Sequence, residues 1–194
     1  AGLRAKAGMP MFRHYRKRVL DEAARRMAQN PTNKHNGAVG ALFNLAFAYT
    51  ITGEEKYKDK LIDWVRAGWR QTRFDDFHLM SLAAMAFAYD VIYPELSPED
   101  RASFQDYLDR GIEGYHRFSG AWFLGGHANF SNTVPVGNSG GMLDGLASMH
   151  SSPRAKEAVE TAAKKAKLYP ERCISPDGGC REGSSTGTSA GRST

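Results

Sequence analysis

Side chains suited to binding and to proton transfer concentrate in residues 117–136, a stretch rich in aromatic residues, glycine and asparagine but poor in charge. His127 can shuttle a proton, whereas the amides of Asn129 and Asn132 can donate hydrogen bonds to an anion. Trp122 can stack on a sugar ring, or it can simply anchor the stretch on the core. Turn-forming asparagines and an exposed loop histidine are the plainer interpretations. Such a loop beside a buried helix is nevertheless a typical place for a binding site.

Three further polar residues lie at expected boundaries between elements. His78 opens an apolar segment, where it could face a cleft or cap and pack the end of a helix. Arg181 and Glu182 follow a Gly-Gly turn and are either site residues or solvated loop charges. Cys173 and Cys180 lack the second pair of ligands that a structural zinc site requires, so the sequence predicts no metal site.

Two kinds of helical segment alternate along the chain and would position these residues. Residues 37–52, 79–93 and 137–149 are apolar or small on nearly every side, so we expect them to be the most buried helices. Before, between and after them lie four amphipathic stripes with charged opposite faces. One apolar pattern, Leu42 with Ala46–Tyr49, recurs forty residues later as Leu82 with Ala86–Tyr89.

The forty-residue repeat predicts stacked helical hairpins. We therefore expect an all-α fold of seven helices over residues 1–172, with inner apolar helices and outer amphipathic ones. An incomplete α/α toroid and an open α-solenoid both fit this pattern. Residues 173–194 form a Gly/Ser-rich loop and tail, which we expect to be flexible.

Composition narrows the choice of partner. Within 194 residues, 41% are hydrophobic and 24% charged, and no apolar run reaches the length of a membrane-spanning helix. The net charge of +5 favours an anionic partner. We expect neither nucleic acid nor a membrane in that role.

Four stretches, in this order, carry a resemblance to a known family: LAFAYTITGEEKYKDKLIDWV, AFAYDVIYPELSPEDRASF, NFSNTVPVGNSGGMLDGLA and PDGGCREG. They resemble the corresponding stretches of the heparinase II/III-like polysaccharide lyases. In the third stretch Asn129, Asn132, Val134 and Gly140-Gly141 keep the family pattern, whereas Phe130 and Ser131 depart from it.

The resemblance implies an α/α toroid that cleaves uronic-acid polysaccharides by β-elimination. It implies that Asn132 or Asn129 neutralises the substrate carboxylate and that His127 takes part in proton transfer. Trp122, His78, Glu182 and Arg181 are implied to bind substrate. No metal or other cofactor is needed, the ligand is an anionic polysaccharide or oligosaccharide, and the location is periplasmic or secreted, although no signal peptide is recognised at Ala1.

One departure affects the implied activity. In the family that the chain resembles, the motif that begins PDGG continues to a Tyr-Trp pair, and that tyrosine is the general acid. In this sequence Thr186-Gly187 stands at the place of the pair. Codons for Tyr-Trp-Asp-Phe-Gly (TAC TGG GAC TTC GGC), read one base later, give the Thr-Gly-Thr-Ser-Ala of residues 186–190. We therefore hypothesise a reading-frame slip near Gly183 and expect a fragment with little or no activity.

Three other functions fit parts of the pattern. A non-catalytic glycan-binding domain would keep the tryptophan and the asparagines but need no general acid. A helical-hairpin scaffold that binds protein would use the Asn-rich stretch only as a connector. A glycoside hydrolase would need two carboxylates flanking the scissile bond, for which Asp144 and Glu182 are the available pair.

Overall fold

The computed structural model describes residues 2–31, 35–68, 78–124, 133–173 and 176. This part of the chain is 87% helical and contains no strand, which confirms the all-α prediction. Its helices are α1 (Gly2–Ala7), α2 (Arg13–Met27), α3 (His35–Thr52), α4 (Glu55–Gly68), α5 (His78–Ile92), α6 (Pro98–Leu124), α7 (Thr133–Ala147) and α8 (Ala155–Cys173). Two short 3-10 helices, Pro10–Phe12 and Tyr93–Glu95, precede α2 and α6.

The predicted apolar segments coincide with α3, α5 and α7. In α5, Met80 and Asp90 are the only exposed residues among those whose side chains are described. The amphipathic helix α4 instead buries a single stripe that includes Tyr57, Leu61 and Trp64. Burial thus follows the apolar pattern only in part, because Phe47 of α3, Met80 of α5 and Leu146 of α7 are exposed on helices expected to be buried on nearly every side.

Two predictions about the helices were wrong, one on their number and one on where they end. Eight α-helices occur in the described residues rather than the seven expected, because α1 is too short to show a helical stripe. Residues 117–136 were expected to form a loop, yet α6 continues to Leu124 and α7 begins at Thr133. Glycine and serine within the stretch obscured a helical spacing of aromatic residues at Tyr115, Phe118 and Trp122.

The helices pair as antiparallel hairpins. Two residues connect α3 to α4, and Gly53 makes this reversal with a positive φ of 73°. Leu82 lies opposite Gly111, and the rings of Tyr89 and Phe104 are 4.7 Å apart, so α5 and α6 run antiparallel. The short connection between α7 and α8 places Gly145 against Ala155, as in a third hairpin.

Contacts between hairpins show that the apolar helices are parallel. Helix α6 also runs antiparallel to α7, because Tyr115 packs on Gly141 while Gly111 meets Asp144. Helices α5 and α7 must therefore share one direction. Helix α4 is antiparallel to α5, since Gly68 faces Met85 and Lys58 lies 3.7 Å from Glu95. Consequently α3 is parallel to α5 as well.

The amphipathic partner helices form a second layer. The Arg154 guanidinium lies 2.8 Å from the Glu113 carboxylate, and His116 lies 3.8 Å from Glu157, which sets α6 and α8 parallel. The described fold is thus a stack of three hairpins, with α3, α5 and α7 in one layer and α4, α6 and α8 in the other. In no described helix is there an apolar stretch long enough to cross a membrane.

Candidate functional site

One end of the stacked hairpins gathers the amino ends of the parallel helices. Because Gly111 lies opposite Leu82, His78 at the start of α5 is level with about residue 115 of α6. The last residues of α6, 116–124, therefore continue about 13 Å beyond the start of α5. The backbone of these residues therefore lies beside the amino ends of α5 and α7.

The predicted site residues are only partly located by this geometry. His78 begins α5 and Trp122 lies in the last turn of α6, so both backbones belong to the end just described; their side chains lie outside the described residues. His127, Asn129 and Asn132 also lie outside them, although Asn132 immediately precedes the first residue of α7 in the sequence.

The remaining two predicted residues, Arg181 and Glu182, lie outside the described residues too. The same holds for Thr186, which stands at the place of the family's general acid. Substrate binding by Arg181 and Glu182, and the loss of the general acid at Thr186, stay predictions.

The amino ends of α3, α5 and α7 carry no acidic residue in their first turns. Each of the outer helices α4, α6 and α8 carries at least one, such as Glu55 in α4 and Glu157 in α8. Moreover, residues 114–143 contain no aspartate or glutamate at all. Helix amino ends bear partial positive charge and free N–H donors, which favour an anion, although Asp75 and Asp76 stand just before α5 in the sequence.

A buried polar pair that the sequence did not reveal lies below these helix ends. The Tyr115 hydroxyl donates a hydrogen bond to Oδ1 of Asn138 at 3.0 Å. Asn138 is 3% exposed, and its Nδ2 makes no hydrogen bond with any described residue. Burial also raises the pKa of Tyr115, which keeps the phenol protonated as the donor.

Asn138 was overlooked because the sequence pattern does not show whether a single amide in an otherwise apolar helix is buried or has a polar partner. Its oxygen is held by Tyr115, so its amide N–H groups are fixed as donors. Gly141 permits this arrangement, because a Cβ there would lie 2.5 Å from the Tyr115 ring. The pair is therefore built into the α6–α7 contact.

Two basic side chains of the outer helices, His116 and Lys165, have lowered pKa values and lie towards the end where α5 and α7 begin. Burial, reinforced by the nearby Arg154 charge, lowers the pKa of His116, while Glu157 opposes the shift. Burial lowers the pKa of Lys165 in α8 to about 8. Because α8 is antiparallel to α7, Lys165 belongs to the half of α8 that approaches the start of α7.

Asp144 cannot serve as one of two carboxylates flanking a sugar bond, which corrects the hydrolase alternative. Its side chain is 0% exposed and lies against the backbone of Gly111 in α6. Burial, followed by the nearby Asp109 charge, raises its pKa well above the usual value, although a hydrogen bond from Ser148 partly offsets this. A carboxyl that is enclosed between helices does not reach substrate.

Within the described ranges no three His, Cys, Asp or Glu side chains cluster as metal ligands would. Comparison of the whole sequence with protein-family models and with curated proteins gives no match.

Proposed function

We propose that this chain is a helical portion of a polysaccharide lyase that cleaves uronic-acid glycans by β-elimination, at a periplasmic or secreted location. In this proposal its hairpins form part of an α/α toroid, and the substrate occupies the end where α3, α5 and α7 begin. The observation that carries the proposal is the set of parallel helix amino ends without first-turn acids. A uronate carboxylate is the kind of anion that such ends favour.

The proposed chemistry requires three roles. Asn132 or Asn129 donates hydrogen bonds to the carboxylate, which makes the proton on C5 more acidic. A base, for which His127 is the candidate, removes that proton, and an acid protonates the leaving glycosidic oxygen. Trp122, His78, Arg181 and Glu182 then hold the sugar chain in place. The products are a new reducing end and a sugar with a C4–C5 double bond.

The acid is the missing member of this set. Thr186 occupies the place of the tyrosine that the family resemblance implies, and an aliphatic hydroxyl has a much higher pKa than a phenol. Loss of one general acid–base group typically lowers the rate about 10²–10⁴-fold. We therefore expect the chain as it stands to bind uronate glycans but to turn them over slowly or not at all.

The test compares this chain with a variant that carries both Thr186→Tyr and Gly187→Trp. Each protein is incubated with heparan sulfate, hyaluronan and alginate, and absorbance of the unsaturated product is followed. We expect product from at least one glycan with the double variant and at most a trace with the parent chain. Equal turnover by the two proteins would contradict the assigned role of the missing tyrosine.

A matched control addresses the carboxylate-binding role. Adding Asn132→Ala to the double variant should lower product formation about 10²-fold or more, as expected when a donor to a developing oxyanion is removed. An unchanged rate would exclude Asn132 and leave Asn129 to be tested in the same way. Glycan binding by every variant without any unsaturated product would favour a non-catalytic glycan-binding domain instead.

A further inference from the structure

The positive charge of the chain is concentrated in its first two helices. Residues 2–31 contain eight Lys or Arg residues and two acidic ones, whereas the net charge of the entire chain is only +5. The two acids are already engaged, since Asp21 pairs with Lys17 and Glu22 pairs with Arg26. Arg13, Arg16 and Arg18 form no ion pair with any described residue. This surface is therefore basic independently of the proposed glycan site.

A groove between α2 and α3 lies on the same surface. Its first half is a cavity of about 170 Å³. The surface that the lining exposes is almost wholly apolar, although Lys6 of α1 and Arg16 of α2 are among the lining residues. The apolar wall consists of Phe12, Tyr15, Val19, Phe47 and Ile51.

The second half adjoins the first through Tyr15 and Val19, which line both. It is a more polar cavity of about 470 Å³, bordered by Arg18 and Arg25 of α2 and by Asn44 of α3. From Phe12 to Arg25 the groove follows about 20 Å of the chain, the length of three to four helical turns.

The exposed side chains around the groove are large and apolar. Tyr15 is 64% exposed, Met11 is 69% exposed and Phe47 is 37% exposed. An apolar floor with guanidinium groups along its margin complements a helix that has apolar residues on one face and acidic residues beside them.

We propose that this groove binds an acidic amphipathic helix of a protein partner. The partner inserts apolar side chains between Phe12, Tyr15 and Phe47, and its flanking carboxylates face Arg16 and Arg18, each of which borders one half of the groove. A polysaccharide is a poorer match, since the first half of the groove offers sugars almost no polar lining. A flat bilayer is a poorer match as well, because the apolar and basic residues line two adjoining cavities rather than a flat face. The inference is independent of the proposed lyase function.

The test uses a synthetic 16-residue peptide, a length of about four helical turns, with leucine at helical i, i+3, i+4, i+7 spacing and glutamate elsewhere. Its controls are the same peptide with lysine for glutamate, and one of identical composition with the leucines scrambled. Binding to the full chain is measured by fluorescence anisotropy at low and at physiological salt. We expect binding of the patterned acidic peptide alone, weaker at higher salt.

Matched charge variants locate the binding surface. The pair Arg13→Glu and Arg16→Glu should weaken binding about tenfold or more. The fold should tolerate the change, because acidic residues suit the first turn of α2. The pair Lys164→Glu and Lys167→Glu makes the same change in charge on α8 and should have no effect. Tyr15→Ser should also weaken binding, since it removes an exposed wall of the groove.

Three outcomes would overturn the proposal. One is equal binding of the acidic and the lysine peptides, or equal losses from the α2 and α8 charge pairs. Another is self-association in sedimentation that the Arg13/Arg16 pair abolishes while the peptide does not bind, which would make a second copy of the chain the occupant. The third is sedimentation with phosphatidylserine vesicles but no peptide binding, which would make the occupant an anionic bilayer.

Discussion

Two buried polar residues of α7 bear on the stability of this fold, and we expect one of them, Asp144, to make that stability depend on pH. Asp144 and Asn138 both lie on α7 and face α6, and each has one polar side-chain atom without a hydrogen bond to the described residues. A buried polar group without a partner typically costs about 1–3 kcal/mol. Neither residue could be identified from the sequence as buried and unpartnered, because that depends on which helix packs across from α7.

The first prediction concerns Asp144. Its pKa is raised in the folded chain above the ordinary value of 3.8, so the folded state binds more protons than the unfolded state as the pH rises past that value. The stability that the protonated form provides is complete below pH 3.8 and is lost as the pH climbs towards the folded pKa. Asp144→Asn should therefore raise the free energy of unfolding at pH 8 by about 1–3 kcal/mol.

Urea denaturation at pH 4 and pH 8 checks this prediction. The two proteins should differ least at pH 4 and most at pH 8, because the raised pKa of Asp144 favours its protonated form at the lower pH. A wild-type chain that is the more stable one at pH 8 would show that the carboxylate has a favourable partner after all.

The second prediction concerns the Tyr115–Asn138 pair. Tyr115→Phe removes the hydroxyl that donates to Asn138 Oδ1 and leaves a buried amide oxygen unsatisfied. The free energy of unfolding should fall by about 1–3 kcal/mol. Tyr15→Phe is the control, because its side chain is largely exposed, and it should change stability by less than about 0.5 kcal/mol. Equal effects would mean that the buried hydrogen bond is energetically unimportant.

Whole helices were more predictable than single residues. All-round apolarity identified α3, α5 and α7, and one-sided stripes identified α4 and α8, because burial is a property of many side chains at once. Helix ends were less predictable. The chain continues α6 through Gly120 to Leu124, since the energetic preference against one helical glycine is only about 1 kcal/mol. The residues predicted to form the site fall mainly beyond such ends, where periodicity gives no information.

Small residues on α7 allow the close approach to α5, and the third prediction tests this. A Cβ at Gly140 would lie 2.3 Å from the backbone oxygen of Leu79, which cannot rotate away as a side chain could. Gly140→Ala should therefore lower the free energy of unfolding by about 1–3 kcal/mol despite its better helix propensity. Ser139→Ala, on the exposed side of the same helix, is the control in thermal denaturation. An increase in stability for Gly140→Ala would contradict this close packing.

At the scale of the whole molecule, the hairpin stack separates two ends with different surfaces. The inner helices begin at one end, whereas the first half of α2 lies beside the last turns of α3 at the other. Stacked hairpins were expected from the repeat. The concentration of Lys and Arg in α1 and α2 was not expected, because the net charge is a sum over the entire sequence. The net charge of +5 alone therefore did not show which surface of the molecule is basic.

The fourth prediction distinguishes anion binding from folding at the inner helix ends. Thr133→Asp places a carboxylate at the first position of α7, where it should leave stability unchanged or raise it by up to about 1 kcal/mol. The same charge should repel a bound uronate and weaken its affinity several-fold, measured by calorimetric titration with an alginate oligosaccharide. Ser152→Asp, before α8 at the opposite end, makes the same change in charge and should leave the affinity unaltered. Equal affinities for all three proteins would contradict the proposed location of the glycan.

The uneven distribution of charge over α1 and α2 also makes the molecule an electric dipole with a preferred way to approach a surface. On a cation-exchange resin, the chain should adsorb through Arg13, Arg16 and Arg18. The amino ends of α5 and α7 would then be turned towards the liquid. An immobilised layer of the protein would then be oriented rather than random. Such a layer would keep the amino ends of α5 and α7 available to a dissolved polymer and could be released by salt without denaturation.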